Sequence, residues 1–259
     1  MKIFKKIKSA NGRRKIYLLG IKILSYKNKK NIKFCPICNN ENTFNGFGTV
    51  LRKDAMCPVC RSLERHRFLF FIYNLFFLQT TRKIKVLHIA PEKAIYDMII
   101  KNSNIEYHHI DIDPSQYPYA LGCKQMNALN LQFKDETFDF IIHNQVIEHI
   151  VDEQKFINEQ LRVLKDNGKI IVNLPYKSDL EKTFQDDNIK TDEDRLKYYL
   201  QKDHVRLYGL NMLENLKGVN IERIFEDFMT TKLINEMQLK RNFIDLEDAY
   251  FLITKKERK

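Results

Sequence analysis

Residues 137–175 read TFDFIIHNQVIEHIVDEQKFINEQLRVLKDNGKIIVNLP, and this stretch decides the fold. Residues 137–144 are a short β-rich run, 152–168 a helical segment stopped by glycine, and 169–175 a second β-rich run. A strand, a helix and a strand in immediate succession build a parallel sheet, because the helix carries the chain back to the same edge. The same alternation extends outward on both sides. KVLHIA at 85–90 reads as a first strand, EKAIYDMIIKN at 92–102 as a helix, and EYHHIDID at 106–113 as a second strand ending in acids. GVNIERIFEDF at 218–228 and DAYFLITKK at 248–256 read as the last pair. In such sheets ligands sit at the carboxyl ends of strands, which places a pocket beside Ala90, Asp111, Asn127 and Asn144.

The chain has 259 residues and a formal charge of +11. Its first thirty residues contain eleven Lys or Arg and no acid, so the remainder holds 33 basic and 33 acidic residues. Attraction to membrane phosphates or nucleic acid is therefore a property of a basic arm, residues 1–30, and not of the rest. Two readings of the arm stand side by side: a solvated basic tail and a peripheral anchor on anionic lipid. Its apolar runs are too short for a secretion signal, which implies a cytoplasmic protein, peripheral at the inner face of the membrane on the anchor reading. The run FLFFIYNLFFL at 68–78 is shorter than the roughly 20 residues a spanning helix needs and reads as a buried helix.

Four of the five cysteines form CPIC at 35–38 and CPVC at 57–60, separated by eighteen residues. Two such knuckles offer Cys35, Cys38, Cys57 and Cys60 to one tetrahedral zinc ion. Four thiolates close the coordination shell, so the ion is a structural staple within a module at 31–66. Two disulfides are the alternative, and they need an oxidising compartment. Cys123 reads as a small buried hydrophobe. Arg65, His66 and Arg67 follow the second knuckle, either as solvated charges at a helix start or facing a substrate phosphate.

The phrase from Phe133 to Pro175 resembles the middle of class I S-adenosylmethionine-dependent methyltransferases, where FDxIxxxxVxEHxxD…RVLKxGGxxxxxxP spans the fourth to the fifth strand. With CPVCRSLERHR, LHIAPE and DHVRLYG it is similar to a bacterial subfamily that has a cysteine-rich lead-in and is associated with surface-polysaccharide genes. KIYLLGIKILSY in the arm is similar to leaders of that pathway class. The resemblance implies a Rossmann-like α/β fold at 67–259 with a mostly parallel sheet and an antiparallel last strand. It implies S-adenosylmethionine as cofactor. The family's Asp-x-Gly-x-Gly loop is replaced here by His88, Ala90, Pro91 and Glu92. S-adenosylmethionine has no phosphate, so a glycine nest is less needed than for a dinucleotide, and Glu92 is an acceptor for its ammonium. Asp111, 21 residues after Ala90, is placed to accept the ribose hydroxyls, and Asn127 with Ala128 stands where the family has an acid near adenine. Phe133, Phe138 and Asn144 either wall the cofactor or belong to the core.

Methyl transfer is an in-line displacement that depends chiefly on alignment, with a base needed when the acceptor loses a proton. His149 and His204 are the candidate bases, and Arg206 is a candidate grip on phosphate or carboxylate. Some related O-methyltransferases hold a divalent metal in EVxEH; here Gln145 replaces the first acid, so no catalytic metal is expected. The substrate class implied by the resemblance is a sugar, or a phosphorylated or nucleotide-linked glycan precursor. An RNA methyltransferase and a non-catalytic partner protein are the competing readings; the neutral core argues against nucleic acid.

Overall fold

The computed structural model describes residues 4–8, 13–18, 21–27, 32–48, 51–224, 229, 231–240 and 246–256. The chain divides into two compact units, one of Met1–Arg82, Asp97–Asn102 and Phe225–Phe243, the other of Lys83–Tyr96, Ser103–Ile224 and Ile244–Lys259.

In the first unit, β1 (Phe4–Lys8), β2 (Arg13–Leu18) and β3 (Ile21–Lys27) form an antiparallel meander. The described part of the basic stretch is thus a sheet and not a tail. Alternation explains it: Leu24 and Tyr26 are buried while Ile23 and Ser25 are only half-buried, and the buried Ile16 pairs with Leu24. Tyr26 stacks on Phe34 at 4.5 Å and donates to Glu236 at 2.6 Å, which ties the meander into the unit. Two short hairpins follow, β4 (Lys33–Cys35) with β5 (Asn40–Asn42) and β6 (Asn45–Phe47) with β7 (Arg52–Met56). Helix α1 (Glu64–Tyr73) continues as a π-helical turn over Asn74–Leu78 and buries Phe68, Leu69, Phe71, Ile72 and Phe77.

The second unit is built on β8 (Ile84–Ile89), β9 (Ile105–Asp111), β10 (Lys124–Gln125), β11 (Phe138–Asn144), β12 (Leu164–Tyr176), β13 (Val219–Ile224) and β14 (Glu247–Lys255). They form one sheet in the order β10-β9-β8-β11-β12-β14-β13. The pairings from β10 to β12 are parallel, and β14 is antiparallel to both its neighbours. All seven residues of β11 are buried, as expected for a central parallel strand covered on both faces. Strand order reverses between β8 and β11, which makes their carboxyl ends the topological switch point. The helices are α2 (Lys93–Ile99), α3 (Glu153–Val163), α4 (Asp192–Tyr199) and, in the first unit, α5 (Thr231–Met237).

Helix α3 starts where Asp152 accepts the Lys155 amide at 2.9 Å, and it buries Phe156, Ile157, Gln160 and Val163. It ends at Val163 and not at Gly168 as the glycine suggested; Leu164 is already extended and pairs with Phe138. Gly168 instead accommodates a close approach, since a Cβ there would lie 2.6 Å from the Leu164 side chain. Leu87, Ile89, Ile141, Phe156, Ile170 and Val172 centre the core.

Candidate functional site

Two residues flanking the switch point adopt left-handed backbone conformations without being glycine. Ala90, directly after β8, has φ +57°, and Gln145, directly after β11, has φ +55°. Such conformations cost non-glycine residues energy and concentrate at ligand sites. Ala90 donates its amide to Ile110 at 3.0 Å, and the Gln145 amide bonds the Asn173 carbonyl at 2.8 Å. Both turns are therefore anchored to neighbouring strands. The loop at Ala90 makes the turn a glycine would make, and Glu92 accepts from Ile95 and Tyr96 at the start of α2 through its backbone carbonyl.

Asp111 ends β9, with its carboxylate accepting the Asp113 amide at 2.8 Å. Its backbone carbonyl accepts from Met126 at 2.9 Å, which brings Asn127 and Ala128 alongside. The Asn127 side-chain oxygen is occupied by the Leu129 amide at 2.8 Å, so its NH2 group is the available donor. Asn144 is 2% exposed at the end of β11. The expected rim positions Ala90, Glu92, Asp111, Asn127, Ala128 and Asn144 thus fall on the carboxyl side of the sheet. Pro91 is buried there and accepts from the Tyr119 hydroxyl at 3.0 Å.

Around this rim the expectations for His88 and Cys123 need correcting. His88 is fully buried inside the sheet and pairs with the Tyr107 hydroxyl at 2.7 Å, so it braces β8 against β9. Of the two readings of Phe133 and Phe138 the structure takes the core one: Phe138 starts β11 and packs edge-on to Phe133 at 4.9 Å, at the amino end of the strand. Cys123 is half-buried, and burial followed by the Asp111 charge pushes its thiol up to about 11. Tyr117 was not singled out by any motif. Its phenol is pushed up, first by burial and then by the charge of Asp111.

The Ile147–His149 turn and the segment Asp203–Tyr208 are locked together. Val205 donates its amide to the Glu148 carbonyl at 3.0 Å. Arg206, 1% exposed, donates to the carbonyls of Ile147, Ile150 and Val151 at 3.0, 2.6 and 2.9 Å and to the Gln185 side chain at 2.9 Å. Its guanidinium is committed to backbone and is not a substrate grip. His149 and His204 meet edge to face at 4.9 Å, and burial, then the neighbouring His149, pushes His204 down to about 4. Gly209 in DHVRLYG is required by packing, since a Cβ would lie 2.6 Å from the Leu180 carbonyl.

The four cysteines of the first unit converge. Cys35 and Cys60 sulfurs are 3.5 Å apart and Cys38 and Cys57 3.7 Å, far beyond disulfide bonding. Four sulfurs about 2.3 Å from a central zinc would stand about 3.8 Å apart, so the cluster fits the ion. Each knuckle turns on a left-handed residue, Asn39 at φ +58° and Arg61 at φ +60°. Arg67 is neither solvated nor facing substrate: fully buried, it donates to the carbonyls of Ser62, Ala55, Met237 and Gln238 and lies 4.6 Å over the Phe44 ring.

Two cavities, of about 450 and 730 Å³, lie away from these features. The first lies at the amino ends of β8, β9 and β11, lined by ion pairs Lys85–Glu106 and Lys165–Asp139.

Compared with known protein families, residues 90–172 match the model described as a methyltransferase domain. That segment begins at the left-handed Ala90 and runs through Asp111 and the switch point into β12. This segment of the chain is therefore similar to a methyltransferase domain. An uncharacterized protein of Methanocaldococcus jannaschii is 32% identical over 122 residues, 47% of this chain and 54% of that one. Norajmaline N-methyltransferase of Rauvolfia serpentina is 44% identical over 46 residues, 18% and 16% of the two chains. The chain spans about half or less of the length of these curated relatives. Among solved structures, the YcgJ protein of Bacillus subtilis aligns with TM-score 0.52 and 16% identity over 74% of this chain and 100% of that one. Haemonchus contortus phosphoethanolamine N-methyltransferase 2, in complex with phosphomonomethylethanolamine and S-adenosylhomocysteine, aligns with TM-score 0.50 and 14% identity over 74% and 53%. At those identities the likeness is one of fold. The methyltransferase domain matches the expected Rossmann-like sheet, parallel but for β14.

Proposed function

We propose that the protein is an S-adenosylmethionine-dependent methyltransferase acting on an oxygen of a sugar, or of a phosphorylated or nucleotide-linked precursor of a surface polysaccharide. The observation that carries the reaction class is the switch point itself, with left-handed turns at Ala90 and Gln145 and the Asp111 carboxylate at the end of β9. Asp111 accepts the ribose hydroxyls, Glu92 meets the ammonium, and Asn127 donates to the adenine while Ala128 and Asn144 flank it. The bound cofactor supplies an electrophilic methyl on a sulfonium. The chain's part is to align the acceptor with that methyl and, for a hydroxyl acceptor, to take its proton at His149 or His204. Residues 31–66 form a zinc-stapled module through Cys35, Cys38, Cys57 and Cys60, ahead of a catalytic domain at 67–259. The basic residues 1–30 suit a cytoplasmic protein peripheral to anionic lipid; among the described residues no helix is long and apolar enough to cross a membrane.

A nitrogen acceptor is the second reading, because relatives are named for N-methylation of norajmaline and phosphoethanolamine. Calorimetric titration with S-adenosylmethionine and S-adenosylhomocysteine tests the class, and micromolar one-site binding is expected. Absence of binding to both ligands overturns it. Transfer of labelled methyl to nucleotide-linked sugars against phosphorylated amines then separates the acceptors.

A further inference from the structure

A second cluster of donor atoms lies on the same side of the sheet, four to five residues beyond β11. The carboxylate of Glu148 and the imidazoles of His149 and His204 each offer a ligand atom, and these atoms lie within 4.8 Å of one another. Glu148 is 1% exposed and His204 2%, while the His149 side chain is 30% exposed. The sequence places Glu148 and His149 side by side but leaves His204 fifty-five residues away. Only the fold completes the set.

The surroundings orient these groups as ligands. The His149 Nδ1 stands 3.0 Å from the Asp203 carbonyl, which fixes the proton there and leaves the Nε2 lone pair for a cation. The His149 imidazole therefore has the outer partner that metal-bound histidines have. His204 lies edge-on to the His149 ring at 4.9 Å, which brings the two imidazoles into one cluster. Arg206 and the Val205 amide hold the backbone on either side, so the three groups cannot drift apart. The Gln145 side chain is engaged elsewhere, donating to Asn173 at 3.0 Å and Asp248 at 3.4 Å, and adds no ligand.

We propose that Glu148, His149 and His204 form a binding site for a divalent transition cation of the zinc, cobalt or manganese class. Two imidazoles and one carboxylate suit those ions, which bind such ligands at about 2.0–2.2 Å. Three protein ligands leave coordination positions for water or for an acceptor's oxygens, unlike the four-cysteine cluster. Binding of the cation is independent of the methyltransferase reading, and an imidazole that holds the cation no longer serves as the acceptor's base; only the cation's use in acceptor recognition rests on that reading.

The test uses the full chain, stripped with chelator and reloaded with cobalt(II), with metal counted by mass spectrometry and titrated by calorimetry. The site is read as cobalt bound without thiolate charge-transfer absorption. One such ion per chain is expected in the unmodified protein. In His149→Ala and Glu148→Gln its affinity falls by more than about 100-fold, beyond what loss of an outer-shell partner causes. The thiolate band and the far-ultraviolet circular dichroism stay unchanged in both variants. Absence of the thiolate-free ion from the unmodified protein overturns the proposal, as does its undiminished binding in both variants. Cobalt binding here without any S-adenosylmethionine binding would leave this site standing and overturn the methyltransferase reading alone.

Discussion

Ala90→Gly is the substitution whose sign reports most directly on the loop. At ordinary dihedral angles the exchange destabilises a protein by roughly 0.5–1 kcal/mol through backbone entropy. Here Ala90 has φ +57°, a conformation that costs an L-residue about 1–2 kcal/mol and glycine nothing. Against that relief stand about 0.4–1 kcal/mol of extra freedom in the unfolded chain and about 0.4 kcal/mol for a half-buried methyl. The balance is a gain of about 0.4 kcal/mol, roughly 1 °C in Tm for a domain of this size. Ala90→Val points the opposite way, because a β-branched residue fits this region worst, and a loss of about 1–3 kcal/mol is expected. Urea unfolding midpoints of the three proteins, measured together, provide the comparison, with S-adenosylmethionine affinity of the glycine variant as a control expected within about twofold. A glycine variant less stable by about 1 kcal/mol would show that Ala90 is not in the left-handed region and would refute the argument.

Three further outcomes follow from the geometry. Asp111→Ala removes the acceptor for the ribose hydroxyls; cofactor affinity should fall by about 1.5–3 kcal/mol, tenfold or more by calorimetry, with Tm little changed, and unaltered affinity would dismiss this residue from the site. Cys57→Ser should remove one zinc per chain, abolish the thiolate band of the cobalt form and lower Tm, as a structural ion contributes folding free energy directly; a chelator that leaves unfolding unchanged would count against the staple. Burial holds His143 down at about 3, against an unfolded value near 6.5, so the unfolded chain takes up the proton first and the stability present above 6.5 is lost as pH falls towards 3. About 2 kcal/mol of that loss falls between pH 7 and 5, and His143→Leu should flatten the decline; an identical slope in the variant would assign it to other groups.

Local order was written in the sequence wherever one segment contained its own cause. Alternating β-rich and helical runs specify a parallel sheet, and paired CxxC knuckles specify a four-thiol cluster, since each needs only short-range spacing. Asp111 and Ala90 were legible because strand ends follow from strand pattern. What the sequence left open depends on partners far along the chain. Arg67 and Arg206 look like solvated or substrate-facing cations until their guanidinium groups are seen bonded to carbonyls, a commitment that requires burial supplied by other segments. His88 looks like a rim residue until Tyr107 on the neighbouring strand is placed against it. Gly168 reads as a helix stop, yet its need for a missing Cβ arises from how Leu164 folds back over it. The basic stretch reads as a tail because its charge is local, whereas Tyr26 is buried by Phe34 and Glu236. The cluster of Glu148, His149 and His204 exists only once Arg206 has pinned its two segments together. Spacing along the chain determined which elements form, and long-range packing alone decided which polar groups were consumed by the fold and which stayed available for chemistry, because burial and hydrogen-bond saturation are properties of contacts and not of residues.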